Sequence, residues 1–169
     1  MVIIMTKMEE YYYLGEKYFF GKGVNQSYSE ARKYFELSAK LGCIEAAGML
    51  GDIYEEGLGV DVDYAEALKW YKIAANGGDA ISQYTVGFFY QIGRVVETNY
   101  QEAMKWFKLS VNNGNETAMV GIAQLYMHGQ GVERNLDEAE KWLNKAKDHG
   151  VDGLERSFEI LKVYKQIYK

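Results

Sequence analysis

The sequence predicts an all-α fold, a solenoid of four 36-residue helix–turn–helix repeats followed by a C-terminal capping helix. Residues of similar chemistry return every 36 positions, and a period between about 20 and 50 residues is the signature of a repeat array. Each repeat has two stretches of helical periodicity, and the second begins with the same polar start signal in every copy. The copies run over about 7–42, 43–78, 79–114 and 115–150, with the capping helix over 151–169, and we expect one domain over 1–169.

The register holds at about ten positions, which is too many for coincidence. We therefore assign the recurring residues to helix packing and to turns. The aligned sets include Gly15, Gly51, Gly87 and Ala123, then Tyr18, Tyr54, Tyr90 and Tyr126, then Tyr34, Trp70, Trp106 and Trp142.

The first helix of each repeat, helix A, runs in the second copy from about Glu45 to Glu56. Its apolar and small residues recur at spacings of three and four, which predicts one buried stripe. Gly51 lies inside this helix, where glycine costs about 1 kcal/mol relative to alanine. Its recurrence predicts a close approach between helices. Gly57 follows the helix, where a left-handed glycine commonly forms the C-cap.

The second helix of each repeat, helix B, begins at a capping box. A Ser, Asp or Asn is followed three residues later by glutamate, so that its side chain accepts a backbone N–H and the glutamate bonds back. Each N-cap is expected to stabilise its helix by about 1 kcal/mol. The four pairs are Ser27 with Glu30, Asp63 with Glu66, Asn99 with Glu102, and Asn135 with Glu138.

The tail over 151–169 departs from the repeat pattern, because Lys162 stands where the other copies have tyrosine. We interpret it as a single helix that covers the exposed face of the last repeat; the alternative is a truncated fifth repeat. The residues expected to face inward are Leu154, Phe158, Leu161, Ile167 and Tyr168.

Composition restricts the class of partner and the cellular location that we expect for the protein. The net charge is −5, whereas binding to nucleic acid depends on clustered Lys and Arg, so we expect no nucleic-acid partner. The lone Cys43 allows no intrachain disulfide. The opening MVIIM is too short and wrongly flanked for a signal peptide, and no run reaches the length of a membrane span. We therefore expect a soluble, cytoplasmic protein without membrane contact, as a monomer.

The sequence contains no recognisable catalytic or cofactor motif. Only His128, His149 and Cys43 supply soft metal ligands, whereas a zinc site needs several that converge. There is no phosphate-binding loop and no serine in a nucleophile elbow. Cys43 is expected to be a small buried thiol. We expect no enzyme activity, no cofactor and no metal.

The repeat pattern LGxxYxxGxGVxxDxxxAxxWYxxAAxxGxxxA resembles the Sel1-like repeat, a branch of the tetratricopeptide-like superfamily. The resemblance covers about 150 of the 169 residues. It implies a right-handed superhelix of stacked helix pairs that serves as an adaptor or scaffold in protein complexes. One departure is Val95, which replaces a turn glycine and is expected to change the shape of that turn. The residues that match the pattern in the second copy are Leu50, Gly51, Tyr54, Gly57, Gly59, Val60, Asp63, Ala67, Trp70, Tyr71, Ala74, Ala75, Gly78 and Ala80.

The resemblance also implies where a partner binds, because helix A lines the concave side of such arrays. The groove is expected to be acidic toward the N-terminus and rich in aromatic residues and methionine, so it fits a peptide or protein segment with apolar anchors and a basic residue. The alternative is that Tyr12, Tyr84 and Phe88 pack between neighbouring helices. The concave positions are Tyr12, Glu16, Phe19, Gly48, Asp52, Glu55, Tyr84, Phe88, Gln91, Val120, Gln124 and Met127.

Two other functions stay open beside this interaction module. Some secreted relatives bind or hydrolyse β-lactams, but they carry paired cysteines in each repeat, whereas this chain has only Cys43. The third function is a structural array that associates with itself, to which the apolar segment at Met1–Met5 would contribute.

Overall fold

The computed structural model describes residues 5–168, and over this part of the chain it contains nine helices and no strand. The predicted all-α fold of repeated helix pairs is therefore confirmed, with α9 added after the fourth pair. The apolar segment before Met5 lies outside the described residues. The helices are α1 Lys7–Phe20, α2 Tyr28–Lys40, α3 Ile44–Glu56, α4 Tyr64–Asn76, α5 Ala80–Ile92, α6 Tyr100–Asn112, α7 Ala118–His128, α8 Leu136–Asp148 and α9 Glu155–Ile167.

The chain divides into two compact units, Met1–Ser82 and Gln83–Lys169. The core of the first unit is formed by α1 to α4 and includes Phe35, Leu50 and Ile53, all fully buried. Cys43 is also buried there, as predicted, and is 6% exposed. In the second unit, the side chains of α6 to α9 form three adjoining clusters of buried residues.

Close helix contacts explain the glycine that recurs in helix A. A Cβ atom placed on this glycine would lie within 3.0 Å of the aromatic ring that helix B presents to it, a distance that carbon atoms cannot adopt without movement. The prediction of close approach is thus confirmed. The pairs are Gly15 with Phe35 at 2.5 Å, Gly51 with Tyr71 at 2.4 Å, and Gly87 with Phe107 at 2.8 Å.

The start of each helix B is capped as predicted, but only one half of the capping box forms. The N-cap side chains of Ser27, Asp63, Asn99 and Asn135 accept the backbone N–H three residues later. The reciprocal glutamate contact is found instead at Thr6 and Glu9 of α1. In helix B the glutamate pairs with a lysine, at 2.5–2.7 Å. These pairs are Glu30 with Lys33, Glu66 with Lys69, Glu102 with Lys105, and Glu138 with Lys141.

The turn of the third copy has the same shape as the equivalent turns of the other copies, so the expectation for Val95 was wrong. Its φ is 53°, in the left-handed region, close to the 68° of Gly59 and the 69° of Gly131 at the equivalent positions. A β-branched residue is strained in this region because Cβ crowds the following carbonyl. The surrounding repeat therefore imposes the turn on a residue that does not favour it.

The last helix, α9, covers the fourth pair in the way predicted for a capping helix. Leu161 is 2% exposed and packs with Ala139 and Leu143 of α8. Lys165 Nζ donates to Asp137 Oδ1 at 2.9 Å and to Glu140 Oε2 at 2.8 Å.

Two of the tail residues expected to face inward do not. Leu154 and Phe158 pack inward with Leu161, but Ile167 is 63% exposed and Tyr168 is 53% exposed. Both lie at the end of α9, past its last contact with the apolar core. Tyr168 instead stacks under the guanidinium of Arg134, 4.1 Å from its ring centre.

We predict that Gly51→Ala lowers the free energy of unfolding by about 1–3 kcal/mol, because the new methyl group overpacks the contact with the Tyr71 ring. Gly48→Ala in the same helix is the matched control. A Cβ atom there meets only Ser82 Oγ at 3.6 Å, so we expect about 0.5–1 kcal/mol of stabilisation. Urea unfolding followed by circular dichroism measures both. Equal effects of the two substitutions would contradict the close contact.

We predict that Val95→Gly raises the free energy of unfolding by about 1 kcal/mol, because glycine removes the strain of a left-handed valine. Val62→Gly is the control, since Val62 is equally exposed at 52% and its φ is not positive. That control is expected to lower stability through the larger entropy of the unfolded chain. Loss of stability in Val95→Gly would show that the turn is not strained.

Candidate functional site

The first unit carries two adjoining surface depressions between α1, α3 and the start of α5. We call the first the apolar depression, of about 400 Å³, and the second the acidic depression, of about 260 Å³. They share Tyr12 and Glu45 and therefore adjoin, and we call the two depressions together the groove. The apolar depression is lined by Met5, Met8, Glu9, Tyr12, Tyr13, Cys43 and Glu45. The acidic depression is lined by Tyr12, Glu45, Gly48, Met49, Asp52, Tyr71, Asp79, Ile81 and Ser82.

The hydroxyl of Tyr71 contacts two carboxylates at the acidic depression. Tyr71 is 3% exposed, and its oxygen lies 2.8 Å from Asp52 Oδ1 and 2.8 Å from Glu55 Oε2. Two of the predicted groove residues, one helical turn apart on α3, are thus brought together by a side chain of α4. Their spacing of three residues places both carboxylates on the same face of the helix.

From the sequence, Tyr71 was grouped with the repeat residues assigned to helix packing, and the contacts of its hydroxyl were not predicted. The assignment of the ring is correct, since it packs against Gly51. The signal for the hydroxyl was nevertheless present. The equivalent positions of the other copies are Phe35, Phe107 and Leu143, which carry no polar atom.

Burial raises the pKa values of ionisable side chains in the groove. Desolvation raises the pKa of Asp52, and the negative charges of Glu56, Glu55 and Asp79 raise it further, although the Tyr71 hydrogen bond opposes them. The pKa of the Tyr71 hydroxyl is raised well above its usual value, first by desolvation and then by Asp52. The groove therefore combines partly buried carboxylates with a lining that contains no cation.

The other predicted residues of the first unit divide between the groove and the core. Tyr12 is half-buried, with its ring centre 5.7 Å from that of Phe35, so it packs on the core and lines both depressions. Burial raises the pKa of its hydroxyl, as does the nearby charge of Glu16. Phe19 packs edge-on against Tyr28, at 5.2 Å between ring centres, and belongs to the core.

In the second unit, the structure brings Tyr84 and Phe88 together on one face of α5. Their rings stack with centres 6.4 Å apart and planes at 12°. Phe88 is 39% exposed, whereas Tyr84 is half-buried against Phe107, at 5.6 Å between ring centres. Tyr84 therefore packs against helix B of its own pair, whereas the ring of Phe88 is exposed.

The remaining predicted residues of the second unit are covered to different degrees. Gln91 on α5 and Gln124 on α7 are half-buried. Met127 is 2% exposed and packs with Ala123 and Leu143, so it lies in the core and not at a groove surface. The neighbouring helices α8 and α9 enclose it.

Metal ligands do not converge in the part of the chain that the structure describes, where no group of three or more His, Cys, Asp or Glu side chains is arranged to hold an ion. Over the same residues, no helix has both the length and the apolar character needed to cross a membrane.

Several solved structures share this fold. The chain is similar to c5321, a protective antigen present in uropathogenic Escherichia coli strains with an SLR fold, at a TM-score of 0.81 and 34% identity. It is also similar to a Sel1 repeat protein from Oxalobacter formigenes, at a TM-score of 0.82 and 27% identity. Both similarities cover 85% of this chain, which spans 31% of the first protein and 59% of the second.

A more distant likeness is to the Helicobacter pylori cysteine rich protein B, at a TM-score of 0.54 and 23% identity, over 70% of this chain and 97% of that one. At this identity it supports the fold alone. None of the curated proteins compared with the chain matches it.

The profile of the Sel1 repeat matches four successive segments, at residues 11–43, 44–79, 80–115 and 117–151. These segments follow the four helix pairs of the structure, and together they cover most of the chain. The chain therefore belongs to the Sel1 repeat family.

Proposed function

We propose that this protein is a non-catalytic interaction module that binds a peptide segment of a partner protein in the groove of its first unit. Sel1 repeats are generally protein–protein interaction modules. The observation that carries the proposal is the acidic depression, where Tyr71 contacts Asp52 of the lining and also Glu55, beside an apolar depression.

The chemistry of the two depressions defines the segment that they would accept. Asp52, Asp79 and Glu45 supply negative charge without a cation among the lining residues, so a Lys or Arg side chain fits best. The adjoining apolar depression offers Met5 and Met8 beside tyrosine rings. Methionine adapts to apolar partners of varied shape. The proposed ligand therefore carries an apolar residue next to a basic one.

The second unit carries a separate candidate contact of a different kind. The exposed ring of Phe88, with Tyr84 stacked behind it, offers an aromatic anchor for an apolar side chain. Gln91 and Gln124 offer amide groups without charge. Phe19 and Met127 are left out of the proposed binding surface, because they serve the core.

The absence of catalysis is part of the same proposal. The likeness to the cysteine-rich protein of Helicobacter pylori extends to the fold only, and Cys43 is buried with its Sγ 3.4 Å from Glu45 Oε2. A buried structural cysteine is inert as a nucleophile. Binding is therefore favoured over a β-lactam-directed reaction.

We predict that a random-peptide display selection enriches sequences with Lys or Arg next to an apolar residue. The double variant Glu45→Gln, Asp52→Asn is expected to weaken binding of a selected peptide by at least about tenfold, because each lost charge pair contributes on the order of 1 kcal/mol. Phe88→Ser reports whether the second unit takes part. Fluorescence polarisation measures the affinities.

The matched control is Asp61→Asn, Glu97→Gln, which neutralises two exposed carboxylates in turns outside the groove. It changes the net charge by the same amount and is expected to leave affinity within about twofold. An equal loss of affinity in both double variants would show that the effect comes from the net charge of the protein and not from the groove. Selection of peptides without basic residues would contradict the proposal that the acidic depression binds a basic side chain.

A further inference from the structure

The last helix, α9, carries apolar side chains on two opposite faces. Phe158 and Leu161 face inward and pack on the fourth helix pair. On the other side, Ile160, Val163 and Ile167 follow one another at spacings of three and four residues, so they form one stripe along the helix. They are 36%, 49% and 63% exposed, respectively. We call these three residues the outer stripe, and the structure leaves it in contact with solvent.

A further repeat is not the natural partner of the outer stripe. A helix B that followed α9 would face the position that is glycine in the first three copies. That position is Glu159 in α9, an exposed carboxylate, and a side chain of this size prevents the close approach that Gly15, Gly51 and Gly87 permit. The stripe therefore requires a partner that contacts α9 in another way.

The charged residues beside the stripe are not paired within the molecule. Glu159 and Lys162 are three residues apart, the spacing at which a glutamate and a lysine form an ion pair in every helix B. Over residues 5–168, however, neither of them forms an ion pair, and Arg156 forms none either. With Glu155, this side of α9 is acidic near its start and basic further on, so a reversed copy of it is complementary in charge.

We propose that α9 of a second copy of this chain covers the outer stripe, in an antiparallel pair of helices related by a two-fold axis. Reversal places Ile160 of one copy against Val163 of the other, and Ile167 near the start of the second helix. In such an isologous interface every contact occurs twice. The proposal differs from the monomer that we expected from the sequence, and it does not depend on the groove.

The charges select the antiparallel direction. It brings Glu159 of one copy within reach of Lys162 of the second copy, on both sides of the axis. In a parallel pair, the same side of α9 would face Ser157 and Tyr164 of the second copy, and its charges would stay unpaired. Arg156 lies in the first turn of its own helix, where a cation is disfavoured. In the antiparallel pair it approaches the carbonyl end of the second α9, where a cation is favoured.

The size of this interface predicts a weak dimer. α9 has 13 residues and is therefore about 20 Å long. One helix from each copy buries less than the roughly 1,200 Å² at which stable complexes begin. We therefore expect a dissociation constant between about 10 µM and 1 mM, so that monomer and dimer exchange rapidly.

Sedimentation equilibrium of the full chain between about 1 µM and 1 mM tests the dimer. Val163→Glu is expected to weaken association by at least about tenfold, because it places unpaired carboxylates in the interface. Leu109→Glu in α6 is the matched control, with the same change in charge at a side chain that is 44% exposed, and it is expected to associate like the unmodified chain. Circular dichroism checks that both variants fold. A monomer at every concentration, or equal association of the two variants, would overturn the proposal.

Charge reversal tests the antiparallel contact with variants that change only exposed residues. At low salt, Glu159→Lys and Lys162→Glu are each expected to associate about five- to tenfold more weakly than the unmodified chain, because each sets like charges against one another. An equimolar mixture of the two variants is expected to recover the lost affinity, since opposite charges then meet at both contacts. A mixture that associates no better than its components would show that α9 does not pair in this direction and would overturn the proposal.

Discussion

Contact between a glycine of helix A and a ring of helix B sets the distance between the two helices in each of the first three pairs. The ring lies closer than a Cβ atom allows. This position therefore accepts only glycine, unless a smaller side chain replaces the aromatic residue of helix B. The fourth copy confirms the rule, since Ala123 there faces Leu143 and not an aromatic residue. In α9 the equivalent residue is Glu159, an exposed carboxylate, so a second helix cannot approach it in the same way.

The sequence alone predicted most of the fold, because helix periodicity, N-caps and glycine turns are local signals. It failed where the environment overrides local preference. Val95 adopts a left-handed turn that its own side chain disfavours, since the flanking helices fix the ends of the turn. Ile167 was expected to face inward from its spacing, yet it is exposed because α9 extends past the core.

The candidate site was less predictable for a related reason. Register shows which residues occupy equivalent positions, but not which neighbours cover them. Met127 and Gln91 are equivalent in register, yet only Met127 is enclosed by later helices. The contacts of the Tyr71 hydroxyl were not predicted because a repeat pattern treats tyrosine and phenylalanine as one class. The electrostatics of the depression depend on the hydroxyl group that only tyrosine carries.

Tyr71 also illustrates how an array can gain chemistry without losing its fold. The ring makes the same close contact as Phe35 and Phe107, and a single oxygen atom distinguishes it. Every packing position exists in several versions, so one version can be modified while the others preserve the common scaffold. Redundancy of this kind separates the residues that hold a fold from those that specialise it, and it makes the odd member of an aligned set the first place to look for a site.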